Sequence, residues 1–385
     1  MTLIKNGKII SAAGKDYDRG DILIEGKLIK EIGTDLQAPE GTEVIDAEGS
    51  WVLPGFVDPH THLGLFGQGL PMTEKDVNEG TDPITPHLRG LDGINPQDAS
   101  FRDALEGGVT TVASGPGSMN VIGGQFCVIK THGIAIDEML LKEPLAMKCA
   151  FGENVKKTYA ERKQTPMTRM GNAALLREAL YRAREYGERK NNNGIDCIRY
   201  IPYDIKMEAL LPVLRGEIPL KIHAHRADDI LTAIRIAKEF DLKLTLDHCT
   251  EGHLIPQQVA ASGAPAILGP TMGFQGKFEL KNKSFTTPAV LHEAGVLVAL
   301  MTDHPEIPIQ HLNLCAALAE KAGLPFEEAI KAITINAAKI LGLDDRIGSL
   351  EPGKDADLVL WTGNPLEISS EVRQTIINGK PVYTR

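Results

Sequence analysis

Two histidines one residue apart, His60 and His62 in "GFVDPHTHLG", follow directly on an apolar run that reads as a β-strand. Side chains at i and i+2 of a strand leave the backbone on one face only ~7 Å apart, so imidazoles at this spacing can meet one cation. Paired histidines also occur as ordinary polar residues, and the pair alone leaves that reading open. The arrangement recurs along the chain. Glu153 closes "LAMKCAFGEN", His223 closes "PLKIH", His248 closes "KLTLDH" and Asp303 closes "VLVALMTD". Each follows an apolar run at the point where a strand would give way to a loop. Imidazole nitrogens and carboxylate oxygens with no thiolate suit Zn²⁺ first, with Mn²⁺ or Fe²⁺ as alternatives, whereas Ca²⁺ would demand more oxygens. The set can hold one ion or two.

Such residues converge only if the strands that carry them lie side by side. Beyond residue 55 the chain alternates strand-like and helix-like runs: "GVTTVASG" strand, "AALLREALYRAREYGERK" helix, "IPLKIHAH" strand, "DDILTAIRIAKEF" helix, "LKLTLDHC" strand, "PQQVAAS" helix, then "APAILGP" and "GVLVALMTDHP" strands. That pattern belongs to parallel α/β folds, and roughly eight units over ~295 residues fit a (β/α)8 TIM barrel better than an open sheet. Active sites of such barrels form at the C-terminal ends of the strands, where the six residues stand. "IDCIRYIP" is the candidate for the fourth strand. The two ends read differently: residues 2 to 32 and the stretches "DADLVLWTG" and "VRQTIINGKPVYTR" are short strands and turns, with hairpin tips expected at Asn6-Gly7, Glu25-Gly26 and Asn378-Gly379. The expected organisation is a small β-sandwich domain built from both termini (1–55 and 350–385) around an inserted barrel (56–349).

Composition narrows the partners. Of 385 residues, 41 are basic and 51 acidic, a formal charge of -10 that argues against a nucleic-acid or anionic-membrane surface and for a small-molecule substrate. The first residues lack an apolar core of signal-peptide length and no segment approaches the ~20 apolar residues of a bilayer span, so a cytoplasmic protein is expected, with homo-oligomerisation left open. Five scattered cysteines without a CxxC read as free thiols, Cys249 beside His248 included. Weaker candidates surround the mouth. His225 is either a support for the ligands or a solvated loop histidine; Arg162, Lys163 and Arg169 in "ERKQTPMTRMG" can meet a substrate carboxylate or remain surface charge; "GPTMGFQGKFELKNKS" reads as a flap over the site.

The motifs "PGFVDPHTH", "GGVTTV", "KIHAH", "LDHCTEGH", "MTDHP" and the tail "TINAAKILGLDDRIGSLEPGKDADLVLW" resemble the amidohydrolase superfamily of metal-dependent hydrolases, nearest to its imidazolonepropionase-like and uncharacterised members. The resemblance runs nearly end to end. It implies that His60 and His62 bind the more buried metal, that His223 and His248 are the histidines of strands five and six, and that Asp303 is the aspartate of strand eight. Many members bridge two metals with a carboxylated lysine on strand four. No convincing lysine is read there; Glu153 is the candidate replacement, or else a support for the ligands or a substrate-binding residue, and Lys148 and Lys221 are each read as an internal ion pair or a strand-start residue. Members that deaminate ring bases usually carry a glutamate three residues after the strand-five histidine, where this chain has Arg226, which weakens the deaminase reading.

The expected chemistry is hydrolysis of an amide or cyclic amide C–N bond. A divalent cation lowers the pKa of its water from 15.7 to ~7, and Asp303 is the expected general base, a role worth ~10²–10⁴ in rate. His248 is read either as a ligand or as a stabiliser of the tetrahedral oxyanion. The alternatives are a dipeptidase or deaminase of the same superfamily, or a scaffold that has lost catalysis.

Overall fold

The computed structural model describes residues 1–67, 75–192 and 201–385. Five strands form first: β1 (Thr2–Ile9), β2 (Tyr17–Glu25), β3 (Leu28–Gly33), β4 (Glu43–Asp46) and β5 (Trp51–Pro54). Eight barrel strands follow: β6 (Phe56–Thr61), β7 (Val109–Ser114), β8 (Ile122–Lys130), β9 (Leu140–Ala150), β10 (Leu220–Ala224), β11 (Leu244–His248), β12 (Ala266–Leu268) and β13 (Val298–Leu300). The chain then returns through β14 (Leu358–Trp361), β15 (Val372–Ile377) and β16 (Lys380–Thr384). Strands from both termini share one sheet in the order β16-β15-β14-β5-β1-β2-β3, with β4 also on β1. A bridge from Leu28 to Asp355 brings β3 beside the segment entering β14, so the sheet closes over Ile4, Ile22, Ile24, Val52, Leu358 and Ile376. The expected sandwich from both ends is present.

Glu25-Gly26 and Asn378-Gly379 are hairpin tips, but Asn6-Gly7 is not. Asn6 adopts φ 60 inside β1, and the pairing with β2 continues on both sides of it with shifted register. An asparagine in the left-handed region serves a bulge as readily as a turn when the flanking residues stay paired.

The barrel order is β6 to β13 in sequence. Its ends meet through Asp58, whose Oδ2 accepts the Thr302 N–H at 3.0 Å and the Thr302 hydroxyl at 2.6 Å. Helices cover the outside; in Ala227–Phe240 the buried positions Ile230, Ala233, Ile236, Ala237 and Phe240 make the apolar stripe that packs on the strands. Two expectations need correction. The barrel is not wholly parallel, because β8 runs antiparallel to both β7 and β9: the seven residues between β7 and β8 are too few for a helical crossover, and an antiparallel neighbour is what so short a link permits. The fourth strand is β9, not "IDCIRYIP", of which residues 195–200 lie outside the described residues and 201–202 carry no strand. Among the described residues no helix is long and apolar enough to cross a membrane.

Lys130 ties barrel to sandwich. Buried at the end of β8, it pairs with Asp355 at 2.9 Å and with Asp357, which explains the acidic residues of "KDADLV".

Candidate metal centre

The ends of strands one, five, six and eight bring the predicted histidines and aspartate together. His60, His62 and Asp303 form one group and His223, His225 and His248 another, the candidate ligand atoms of each lying within 4.8 Å of one another. The groups adjoin, with the rings of His60 and His248 centred 5.4 Å apart. Asp303 Oδ1 is 3.5 Å from His60 Nε2 and 3.4 Å from His62 Nε2. His248, Cys249 and Asp303 all take positive φ, at 67°, 45° and 53°. Such backbone is costly for side-chain-bearing residues and persists where the surroundings over-determine it, as at functional sites.

Hydrogen bonds decide which nitrogen each imidazole presents. His62 Nδ1 is 2.7 Å from the Gly115 carbonyl and His248 Nδ1 is 2.8 Å from the Gly269 carbonyl. A carbonyl only accepts, so both rings carry their proton on Nδ1 and offer the Nε2 lone pair inward. His60 Nδ1 lies 2.5 Å from Asp247 Oδ2, which is also 2.9 Å from Lys221 Nζ. Burial drives His60, His223 and His248 well below the ordinary imidazole range, and His225 down to about 3, so the rings are neutral. The Nε2 atoms of His223 and His248 and Oδ1 of Asp303 are buried without a hydrogen-bond partner. Orphans of this kind are rare. Buried nitrogen and oxygen atoms left without partners on the floor of one cavity fit a divalent cation, which would satisfy them together.

A lysine does stand on the fourth strand. Lys148, fully buried in β9, reaches the middle of the site with Nζ 2.9 Å from His60 Nε2. Burial, tempered by the charge of Asp247, pulls its pKa down to about 8. The expectation that this strand lacks such a lysine is therefore corrected. Phe126 of β8 packs beneath, with both Lys148 and Lys221 5.4 Å from its ring centre and His60 edge-on at 5.3 Å.

Other candidates stand elsewhere. Strand four ends at Ala150, so Glu153 sits in the first turn of the helix Glu153–Glu161, its N–H donating to Glu279 at 2.9 Å, and belongs to neither ligand group. Arg162 bonds the Gly80 carbonyl and Arg169 pairs with Asp229 at 3.0 Å; both bind together the outer helices and loops. Cys249 is buried and its thiol pushed up to about 12, an inert filler. His225 joins the second histidine group, its Nδ1 2.7 Å from the Thr250 hydroxyl. The segment 269–284 lines the site: Pro270, Gly273, Phe274, Gly276, Lys277, Leu280 and Lys283 wall a cavity of about 620 Å³ whose floor includes His62, His223, His225, His248 and Asp303. Sequence reasoning missed Glu279, fully buried behind His225 with Oε1 3.8 Å from its Nε2; nothing in a loop of mixed polarity marks one acid as turned inward.

Residues 218–382 match the amidohydrolase family model. An amidohydrolase from Thermotoga maritima MSB8 is 45% identical over the whole of both chains and superposes with a TM-score of 0.97. Amidohydrolase tasK of Hapsidospora irregularis is 31% identical over 94% of this chain, which spans only 39% of that protein, and the imidazolonepropionase of Pseudomonas savastanoi pv. phaseolicola is 27% identical over 94% of this chain and 92% of its own length. A prolidase solved with N-methylphosphonate-L-proline, 17% identical with a TM-score of 0.65, shares the fold. The chain belongs to the amidohydrolase family, metal-dependent hydrolases that act on carbon–nitrogen bonds. Within it, the imidazolonepropionase-like character read from the motifs is borne out.

Proposed function

We propose that the chain hydrolyses the C–N bond of a small amide or cyclic amide with the help of two divalent ions, Zn²⁺ foremost, and with Asp303 as general base. The observation that carries this reading is the convergence of neutral imidazoles and one carboxylate, several with orphaned acceptor atoms, on the floor of a single cavity. His60, His62 and Asp303 would hold one ion and His223 and His248 the other. Lys148 meets His60 of the first group and its charge reaches His223 and His248 of the second, and its depressed pKa leaves part of it as free amine near neutral pH. Addition of CO2 to that amine, with loss of one proton, would give a carboxylate able to join the residues that hold the ions.

Bound there, a divalent ion supplies Lewis acidity to the scissile carbonyl and acidity to the attacking water. Asp303 takes the proton of that water and returns it to the leaving nitrogen. His248, committed as an acceptor at Nε2 by its bond to Gly269, supports a ligand role over that of oxyanion donor. His225 has more freedom, because a threonine hydroxyl can donate or accept. Arg226, tied to Asp228 at 2.9 Å, stands where ring-deaminating members carry their acid and favours an amide. The described cysteines, all buried free thiols, fit the reducing cytoplasm.

The test is elemental analysis beside turnover. Purified protein should carry about two first-row divalent ions per chain and lose activity to a chelator; Asp303→Asn should keep most of the metal and lose ~10²-fold or more in kcat. A metal-free protein of full activity, or an Asp303→Asn variant within threefold of wild type, would overturn the reading.

A further inference from the structure

The wall of the catalytic cavity carries three lysines, and they differ in what holds them. Lys283 donates to the Gly273 carbonyl and lies in the field of Glu306. Lys157 is exposed on the helix Glu153–Glu161, one turn before Glu161, which also faces the cavity. Lys277 is half-buried and, among the described residues, has neither an ion pair nor a hydrogen bond. Glu279, two residues on, turns inward to the Glu153 N–H instead of pairing with it. The charge of Lys277 nevertheless reaches the floor: after burial itself and, for His223, the neighbouring rings of His248 and His225, it is one of the charges that hold His223 and His225 in the neutral form. A cation that lines a cavity over neutral imidazoles, and that among the described residues meets an acid only through the field of Glu279 and not in an ion pair, is placed to meet an anion brought by the substrate.

We propose that Lys277 binds a carboxylate of the substrate, so that the amide hydrolysed is an N-acyl amino acid, a dipeptide or a cyclic amide bearing a free carboxylate. This rests on the hydrolase reading and adds the substrate's charge to it. The carboxylate sits against the 269–284 segment while the scissile carbonyl lies over His223, His248 and Asp303. Arg162 and Arg169, committed to Gly80 and Asp229, take no part. The neutral ring bases of deaminases lack the group that Lys277 selects.

The probes are an N-(methylphosphonyl) amino acid and its C-terminal carboxamide, titrated by calorimetry into metal-loaded protein, with the matching N-acyl amino acid and its amide assayed for turnover. Wild type should bind the carboxylate form roughly 10- to 100-fold tighter than the carboxamide, the range of a hydrogen-bonded ion pair. Lys277→Met should erase that preference and leave carboxamide binding within threefold of wild type; Lys277→Arg should restore most of it. Equal binding of both forms by wild type, or a preference that survives Lys277→Met, would overturn the assignment. Failure of the hydrolase reading looks different: no amide would be turned over while the Lys277-dependent binding preference persisted.

Discussion

Asp247→Asn tests how the metal ligands are positioned. The Asp247 carboxylate is fully buried, with Oδ2 receiving His60 Nδ1 at 2.5 Å and Lys221 Nζ at 2.9 Å and Oδ1 receiving the Thr245 hydroxyl at 2.9 Å. Asparagine can place its oxygen where both donors converge and its amide toward Thr245, whose oxygen can accept. Shape and hydrogen bonds survive, and only the charge is lost. At an effective dielectric of about 20, a pair at 2.9 Å is worth about 6 kcal/mol gross. The amide dipole retains part of this, so the apo-protein should lose about 3 kcal/mol, the low end for a buried ion left unpaired. His60 also loses the carboxylate that makes its Nε2 a stronger donor, so metal affinity should fall ~10–100-fold. Urea unfolding of the apo-protein reads the first effect and competition with a chelator the second. Adding Lys221→Met removes the stranded charge and should recover most of the stability but none of the affinity. Stability within about 0.5 kcal/mol of wild type, or a double variant no more stable than Asp247→Asn alone, would refute the reasoning.

Two further outcomes are expected. Lys148→Ala should leave about one metal ion per chain and lose most activity, with short carboxylic acids restoring part of it; retention of two ions would rule out the Lys148 carboxylate as a ligand. Stability of the apo-protein should fall on acidification: His225 and His304 have folded pKa values of about 3 and about 4 against 6.5 unfolded, so the stability their neutral rings contribute is full above pH 6.5 and is lost toward pH 4, about 2 kcal/mol each at pH 5. His60, His223 and His248 shift the same way, whereas Asp58, raised from 3.8 to about 7, contributes below that range and fades as pH rises through 7. The urea midpoint should therefore be lower at pH 5 than at pH 7, and a flat or rising midpoint would refute the balance of signs.

How much of the site was legible turns on where its residues sit relative to a strand's period. His60, His62, His223, His248 and Asp303 could be read because each ends an apolar run, and a barrel gathers strand ends at one mouth. Lys148 was read in a strand but as an internal ion pair, because "IDCIRYIP" stood as the fourth strand; the first half of β9, Leu140–Pro144, is half-buried and holds Lys142, Glu143 and Pro144, which disguise its length. The signal was nonetheless present. "AMKCA" and "LKIHA" each set a lysine inside an apolar run, and Lys148 pairs in register with Lys221 across β9 and β10. Residues opposite one another on neighbouring strands share a face. Lys221 precedes His223 by two, so the i and i+2 rule that joined His60 to His62 also sends both lysines inward, one layer beneath the histidines. Arg162 and Arg169 mark the opposite limit. A charge at a helix end has no strand period to fix its direction, and its partner, the Gly80 carbonyl or Asp229, lies 82 or 60 residues away in the chain. A charged residue inside an apolar strand is thus the better clue to chemistry than a charge at a helix end near the mouth, since the strand permits it only where burial is compensated.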